Sequence, residues 1–504
     1  PQRDVASVER VEFLKGPAAA LYGSSEPGGT LNVVTKKPQF TAANKAGVQV
    51  GALGYRRATL DSTGPLGTDV AYRLNVAAED GASRTSLVDN RKMVVAPAIT
   101  WNLGPNTVLN YEAEFIRIRT PLDRGIVQVN GNAGALPRDR YLGDPSRDNL
   151  HVNGDTHQFT LDHDLGQGWR TRVGASYRET DLYGEAVDLT GTLQADGRTL
   201  TRRDSWRSLP ARDTSVQAEV EGKLQTGGLR HTVLAGVESW RLFMGQDIRY
   251  STLASQPFAI DIHTPTYGQA PGNLTPGFDT RDRQRATGLF VQDQMDLSER
   301  WKLLAGVRFD RYHQDYENRL NRAVQTQSHS AATPRVGVTY LVNDRTSVYA
   351  SAGRSFRPNT GADESGRAFD PQEGKAFELG AKWQSADQRL NGSVALFDIR
   401  KTNVLTRSPT NANYNVAAGE VRSRGLEADL AGQIDAHWRM TANLAYTDAE
   451  VVRDNNPALL GKRLLNVPRV SAGLFAIRED RLASGGRWGL GGGLVHVGER
   501  TGTA

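Results

Sequence analysis

Most of this chain alternates apolar and polar residues with a period of two, the pattern of a β-strand whose two faces meet different surroundings. In residues 301–310 every second side chain is apolar, and residues 433–446 repeat the pattern. The apolar positions of the first segment are Trp301, Leu303, Ala305, Val307 and Phe309. About nineteen such segments follow one another after residue 40, which predicts a large antiparallel sheet.

Two kinds of connection join these segments in strict alternation. Short turns such as Gly104-Pro105-Asn106 and Gly166-Gln167-Gly168 alternate with long polar stretches, among them residues 181–213, 244–284 and 313–331. Transmembrane barrels have this anatomy, with short turns at one end and long loops at the other. A soluble β-sandwich or propeller also alternates, but several long unstructured loops argue against an ordinary soluble domain. The fold class predicted is therefore an all-β transmembrane barrel.

Composition excludes several other classes of protein. No run approaches the ~18–20 apolar residues that a membrane-spanning helix needs, and the mean hydropathy is −0.50. The net charge of +5 is spread along 504 residues, which does not indicate a nucleic-acid partner. The nine histidines are scattered, and we find no nucleophile motif, phosphate-binding loop or metal-ligand spacing. We expect neither an enzyme nor a protein-bound metal.

Residues 8–38 differ from everything that follows them. Residues 8–15 alternate as a strand, Gly16-Pro17 interrupts it, and residues 18–22 form a short helical run that Gly23 is placed to end. A glycine-rich loop and a second strand, residues 30–35, complete a small αβ element. It carries no catalytic residue.

This stretch resembles the end of the plug domain of TonB-dependent outer-membrane receptors. The resemblance rests on the motifs VERVEFLKGPAAALYG and PGGTLNVVTKKP, and four further motifs of the family follow in order along the chain. They are SFRP at 355–358, EGKAFELGAK at 373–382, SRGLE at 423–427 and GKRLLNVPR at 461–469. The plug motifs look most like the siderophore-receptor branch of the family.

The resemblance implies a specific architecture and role. Residues 1–40 would be the C-terminal part of a plug, and residues 41–504 a barrel lacking its last strands, with about 22 strands in an intact protein truncated here at both ends. The expected location is the bacterial outer membrane, in lipid, as a monomer. The expected function is active import of a ferric siderophore energised by TonB, which would bind an N-terminal segment absent from this chain. Iron would arrive within the siderophore, without a protein-bound cofactor.

The resemblance also suggests how the plug is held. Glu378 and Glu427 each lie between strand neighbours that are mostly apolar, so both should face the lumen, where a carboxylate needs a partner. The plug supplies cations, and we expect Lys15 to form a latch with Glu378 and Glu427.

Ligand contacts are expected where the plug apex meets the long loops. Aromatic and arginine side chains suit compact, often anionic ferric siderophores by stacking and charge-assisted hydrogen bonds. The candidates are Tyr22, Trp206, Arg207, Arg249, Tyr250, Tyr267, Tyr316, Phe356 and Arg357.

Other functions remain open from the sequence. The same transporter class could carry haem, cobalamin or a saccharide, although no histidine adjoins Phe356-Arg357-Pro358 as haem receptors would have it. A passive porin or adhesin barrel is a further alternative, and the plug-like stretch argues against it.

Overall fold

The computed structural model describes residues 3–16, 19–132, 134–251, 258–361, 363–411 and 414–502. It consists of a small N-terminal sheet and one large antiparallel barrel. No helix in the described ranges is long and apolar enough to cross a membrane.

The N-terminal sheet has the predicted αβ form. Strand β1 (Val8–Lys15) pairs antiparallel with β2 (Gly29–Thr35), and the four-residue helix α1 (Ala19–Tyr22) lies between them in the chain. Gly16 and Gly23 both have positive φ, at the end of β1 and the end of α1. Glycine adopts that conformation without the steric cost of a Cβ, which explains why the chain reverses there.

The barrel is built from strands β3 to β22, and the sequence between them supplies the turns and loops. The first ten strands are β3 (Ala43–Val50), β4 (Arg56–Pro65), β5 (Val70–Ala82), β6 (Asp89–Gly104), β7 (Thr107–Thr120), β8 (Asn149–Gly166), β9 (Trp169–Leu193), β10 (Thr199–Thr226), β11 (Leu229–Ser251) and β12 (Ile260–Asp261). The others are β13 (Leu274–Asp296), β14 (Trp301–Asn318), β15 (Ala323–Asn343), β16 (Thr346–Arg357), β17 (Gln372–Gln384), β18 (Leu390–Arg407), β19 (Asn415–Gln433), β20 (Trp438–Arg453), β21 (Val470–Arg481) and β22 (Arg487–Val497). A 3-10 turn, Pro457–Leu459, lies between β20 and β21.

Each long strand pairs with the next one along the chain. The exception is the two-residue β12, which pairs with the outer part of β10 while β11 pairs directly with β13. Setting β12 aside, nineteen long strands are described between β3 and β22, the number that the sequence predicted. The sequential antiparallel order follows from the short turns, which leave adjacent strands no other partner within reach.

The two faces of the barrel strands differ as the alternation predicted. In β14, Phe309 is 59% exposed, whereas its neighbours Arg308 and Asp310 are buried. In β17, Phe377 and Leu379 are 53% and 48% exposed, so Glu378 between them faces the lumen. The outward face is thus apolar and the lumen polar, the reverse of a soluble protein.

Three stretches read from the sequence as long loops are largely strand. Strands β9 and β10 run through most of residues 181–213, β11 and β13 extend into residues 244–284, and β14 and β15 into residues 313–331. Alternation of apolar and polar residues is lost there because both faces are polar. The backbone ladder continues regardless, since its hydrogen bonds do not depend on side-chain polarity.

The connections beyond these extended strands pack into a small apolar core of their own. Leu136 and Leu142, from the connection between β7 and β8, meet Leu200 of β10 and Ile260 and Ile262 at β12. All five side chains are buried. This cluster fixes one side of the loop end of the barrel.

A charge on the outward face tests this arrangement. Leu396→Arg, on an outward-facing position of β18, should lower the free energy of unfolding in lipid by about 2 kcal/mol, because arginine is costly against hydrocarbon. The control is Ser393→Arg, on the same strand, because Ser393 lines a lumen cavity of about 850 Å³. This substitution should change the free energy of unfolding little. Urea unfolding in vesicles measures both, and equal losses would contradict the assignment of the two faces.

Candidate functional site

The N-terminal segment, residues 3–16 and 19–38, lies inside the barrel and is called the plug segment below. Its side chains meet lumen-facing residues on opposite parts of the wall: Lys15 reaches β19, Asp4 reaches β4, and Lys37 reaches β7. Helix α1 lies against β14, β15 and β16. The plug segment therefore obstructs the lumen and is held mainly by polar contacts.

Lys15 lies between two carboxylates of β19. Its Nζ is 2.8 Å from Glu427 Oε2 and 2.6 Å from Asp429 Oδ2. Burial opposes the charged form of Lys15, but the hydrogen bonds to the two carboxylates prevail and raise its pKa. Glu427 is a partner predicted from the sequence, whereas Asp429 was not predicted. The period of two would have found it, because residues 427 and 429 of one strand share a face.

Glu378 lies beside the plug segment without an ion pair to Lys15. The Tyr349 hydroxyl donates to Glu378 Oε1 over 2.5 Å, and Glu378 Oε2 would be 3.6 Å from a Cβ at Gly16. The predicted lumen orientation of Glu378 agrees with its exposed neighbours. Glu378 therefore lies close to Gly16, and its carboxylate does not pair with the Lys15 ammonium group.

A second anchor lies at the start of the plug segment, where Asp4 is 2% exposed. Arg57 donates two hydrogen bonds to its carboxylate, at 2.5 and 3.2 Å, and Lys92 Nζ lies 2.8 Å away. Burial alone would raise the pKa of Asp4, but these cations outweigh it and lower the pKa to about 2. The carboxylate is therefore charged and paired at any physiological pH.

The end of β2 supplies a third anchor. Lys36 Nζ lies 3.0 Å from Asp61 of β4, and Lys37 pairs with Glu112 of β7. Thr35 donates to the same Glu112 carboxylate.

Arg308 connects the barrel to the apex of the plug segment. Its side chain is fully buried, with Nε 2.9 Å from Asp310 and Nη2 2.8 Å from Glu238. Its Nη1 donates to the Leu21 carbonyl in α1 over 3.3 Å. Arg308 was not among the residues predicted from the sequence, although its place between the apolar Val307 and Phe309 was a signal that it faces the lumen.

Phe356 and Arg357 are predicted ligand contacts of the barrel wall that touch the plug segment. The Phe356 carbonyl accepts from the Ser25 amide over 3.2 Å, and the Phe356 ring is buried. Arg357 Nη1 is 2.5 Å from Glu26 Oε1. Both residues contact the loop between α1 and β2.

Three further candidates face the lumen side of the wall. Tyr316 shares a face of β14 with Arg308 and is partly exposed. Tyr250 lies under the Arg203 guanidinium, 3.7 Å from the ring centre. Arg207 is buried and paired with Asp188 over 2.6 Å, so its charge is already neutralised within the wall.

The remaining candidates lie elsewhere. Trp206 and Arg249 oppose each other across β10 and β11, on the face that continues to the outward Val216, and are therefore directed away from the lumen. The Tyr267 hydroxyl donates to the Tyr141 carbonyl within the loop cluster. The side chain of Tyr22 lies outside the described residues.

No group of three or more histidine or carboxylate side chains within the described ranges is arranged to hold a metal ion. Nearly all carboxylates around the plug segment are instead engaged by lysine and arginine. The site is thus built to hold a polypeptide segment within a barrel.

Comparison with known families agrees with this architecture. The description "TonB dependent receptor-like, beta-barrel" matches residues 100–504, and "TonB-dependent Receptor Plug Domain" matches residues 1–30. The chain belongs to the TonB-dependent receptor family. It is accordingly an outer-membrane transport receptor with a plug and a β-barrel, and not an enzyme.

Two curated relatives cover nearly the whole chain. The metal-pseudopaline receptor CntO of Pseudomonas aeruginosa is 40% identical over 511 residues, which span 99% of this chain and 71% of that protein. The ferrioxamine B receptor of Salmonella typhimurium is 26% identical and spans 97% and 70%. Both relatives are named as receptors for a siderophore or a metal complex, and this chain is a receptor of that class.

The fold is also that of solved receptors. The siderophore receptor PiuA from Acinetobacter baumannii superimposes with a TM-score of 0.89 over 99% of this chain and 81% of that chain, at 20% identity. At that identity the likeness establishes the fold alone.

The Arg308 contact leads to a prediction about Gly23. A Cβ at Gly23 would lie 2.9 Å from Arg308 Nη2, and φ there is +71°, so Gly23→Ala should destabilise the seated α1 by about 2 kcal/mol. Arg308 has little room to move aside because Asp310 and Glu238 hold it. The matched control is Gly28→Ala, where a Cβ meets nothing within 4 Å. Hydrogen exchange of the peptide containing α1 measures the effect, and similar exchange in both variants would contradict it.

Proposed function

We propose that this receptor imports a ferric siderophore or a closely similar metal chelate, with energy supplied through TonB. The observation that carries the proposal is a lumen obstructed by a plug segment held through separable polar contacts. Such contacts can be exchanged for others when the plug moves, whereas a continuous apolar core would resist opening. In the proposal iron is cargo and enters inside its chelator, and the protein itself holds no metal.

The side chains of the lumen wall beside the plug apex suit a compact polar cargo. Arg357 and Tyr316 face this space, as does Tyr250 farther along the wall. Guanidinium groups form charge-assisted hydrogen bonds with anionic oxygens, and tyrosine rings stack on aromatic chelating groups. We retain these three as candidate ligand contacts, and leave Trp206 and Arg249 out because they lie on the opposite face.

The relatives favour two cargo types. The ferrioxamine B receptor and PiuA suggest a ferric siderophore, whereas the 40% identical relative is named for metal-pseudopaline. A pseudopaline-like chelate of a metal is therefore the second candidate. The plug segment in the lumen disfavours a passive porin, since an open pore needs no such obstruction.

We further propose that Lys15 latches the plug through Glu427 and Asp429, with Glu378 packed beside Gly16. Each contact joins the first plug strand to the wall near the cavity of about 850 Å³ that Lys15, Glu378 and Glu427 help to line. Breaking the latch would join this cavity to the space that the plug segment vacates. The latch is thus placed where movement of β1 would open a path.

Uptake of defined chelates tests the proposed function. A strain lacking the full-length gene, and the same strain complemented, would be given radiolabelled iron as ferrioxamine B, ferrichrome, a catecholate complex or citrate, and a radiolabelled metal-pseudopaline complex. Complementation should restore TonB-dependent uptake of at least one chelate. Vitamin B12 is the comparison cargo, and restoration of none of the chelates would overturn the proposal.

The latch is tested by Glu427→Gln combined with Asp429→Asn. Loss of both partly exposed ion pairs should weaken plug retention by about 1 kcal/mol, seen as roughly fivefold faster hydrogen exchange in β1. Asp162→Asn is the matched control, because Asp162 pairs with Arg172 over 2.6 Å at comparable exposure without contacting the plug segment. Equal exchange in β1 for the double variant, the control and the parent would exclude the latch.

A further inference from the structure

The plug loop, residues 24–28, rests on a defined patch of the lumen wall. Three neighbouring strands contribute to the patch: Ser355 and Arg357 from β16, Gln372 and Gly374 from β17, and Lys401 from β18. The register places Ser355 opposite Gly374 and Gly374 opposite Lys401, so these residues share the lumen face. We call these five residues the apex seat.

Gly374 is shaped to receive the plug loop. A Cβ at this position would lie 2.7 Å from Pro27 Cβ and 2.3 Å from Ser355 Oγ. Any larger residue would push the loop off the wall. The loop also makes one backbone contact beside the seat, from the Ser25 amide to the Phe356 carbonyl.

Glu26 supplies the charge that holds the loop on the apex seat. Its Oε1 is 2.5 Å from Arg357 Nη1, and its Oε2 is 3.3 Å from Lys401 Nζ. Burial opposes the charged form, but the two cations prevail and lower the pKa of Glu26. One plug carboxylate thus bridges cations of two different strands.

Several polar atoms where the plug loop meets the apex seat lack a hydrogen-bond partner. Ser25 Oγ, Ser355 Oγ and Gln372 Oε1 are buried and have no hydrogen-bond partner. Buried polar atoms are normally paired, because an unpaired one loses its hydration without compensation. The Asp4 carboxylate, in contrast, accepts from two cationic side chains and the Ala6 amide. The plug loop is therefore held on the apex seat less firmly than the start of the plug segment is held at Asp4.

We infer that Glu26 is an internal stand-in for the ligand: it holds the two cations, Arg357 and Lys401, that an anionic oxygen of the incoming metal chelate takes over. The chelate class is one with carboxylate or similarly charged oxygens exposed at its surface. Arginine binds such a group through two parallel N–H donors, and lysine adds a point charge. The inference rests on the proposed function and adds the chemistry of the ligand and the way in which its arrival is sensed.

Displacement of Glu26 has a local consequence. The plug loop loses both of its ion pairs to the wall and keeps the Ser25–Phe356 backbone contact and the packing of Pro27 on Gly374. The Lys15 and Asp4 anchors are untouched, since they involve other strands. Binding would thus loosen the plug apex first, while the plug segment stays in the barrel until force is applied to it.

The affinity of the purified full-length receptor for ferric citrate tests this inference. Glu26→Gln should bind this anionic chelate about fivefold more tightly than the parent, the change expected when an exposed ion pair of ordinary strength no longer competes. Arg357→Gln should bind it at least fivefold more weakly. The matched control is Glu364→Gln, which removes an exposed loop carboxylate bonded to Asn411 and should leave the affinity unchanged.

A second measurement follows the plug loop itself. Hydrogen exchange of the Ser25 amide should rise in Glu26→Gln without ligand, and should rise in the parent when ferric citrate is added. The inference would be overturned if the parent and Glu26→Gln bound ferric citrate with equal affinity, or if neither bound it measurably. It would also be overturned if hydrogen exchange of the Ser25 amide did not change on binding. If these tests fail but the complemented strain still takes up a chelate, the proposed function stands. If complementation restores uptake of no chelate, the proposed function itself is overturned.

Discussion

Charge pairing inside the lumen is the constraint on which the rest of this structure depends. A barrel with an apolar outer face must turn its polar residues inward, and a charge removed from water there needs an opposite charge nearby. The wall presents carboxylates such as Glu427, Asp429 and Asp61, and the plug segment presents Lys15 and Lys36. Each side neutralises charge that the other would leave unpaired, and this holds a short segment in a fixed position.

The anchors differ in how completely their polar groups are satisfied. Asp4 is nearly inaccessible and bonded to both Arg57 and Lys92, and Arg308 is fully buried between Asp310 and Glu238. The apex seat under Glu26 is more exposed and leaves buried polar atoms without partners. A plug held firmly at one end and weakly at its apex can respond to a ligand without leaving the barrel.

Much of the fold could be predicted from the sequence because lipid imposes an apolar–polar period of two on every strand that crosses it. That period predicted the number of long strands and the inward direction of Glu378 and Glu427. It failed where β9 to β15 extend past the apolar zone, because both faces are polar there and nothing in the composition separates strand from loop. The direction of Trp206 and Arg249 was hidden for the same reason, since a polar strand gives no sign of which face meets the lumen.

The sequence by itself determined the class of protein: alternation and the spacing of turns were enough for a transmembrane barrel, and the resemblance of residues 8–38 to the family's plug motifs implied the plug. Only the tertiary structure decided which charges meet. Lys15 pairs with Asp429 as well as Glu427 and leaves Glu378 to Tyr349, and Glu26 bridges Arg357 and Lys401 across more than three hundred residues of sequence. Local patterns establish the direction of a side chain from its own strand, but a partner on a distant strand depends on the curvature and register of the closed sheet.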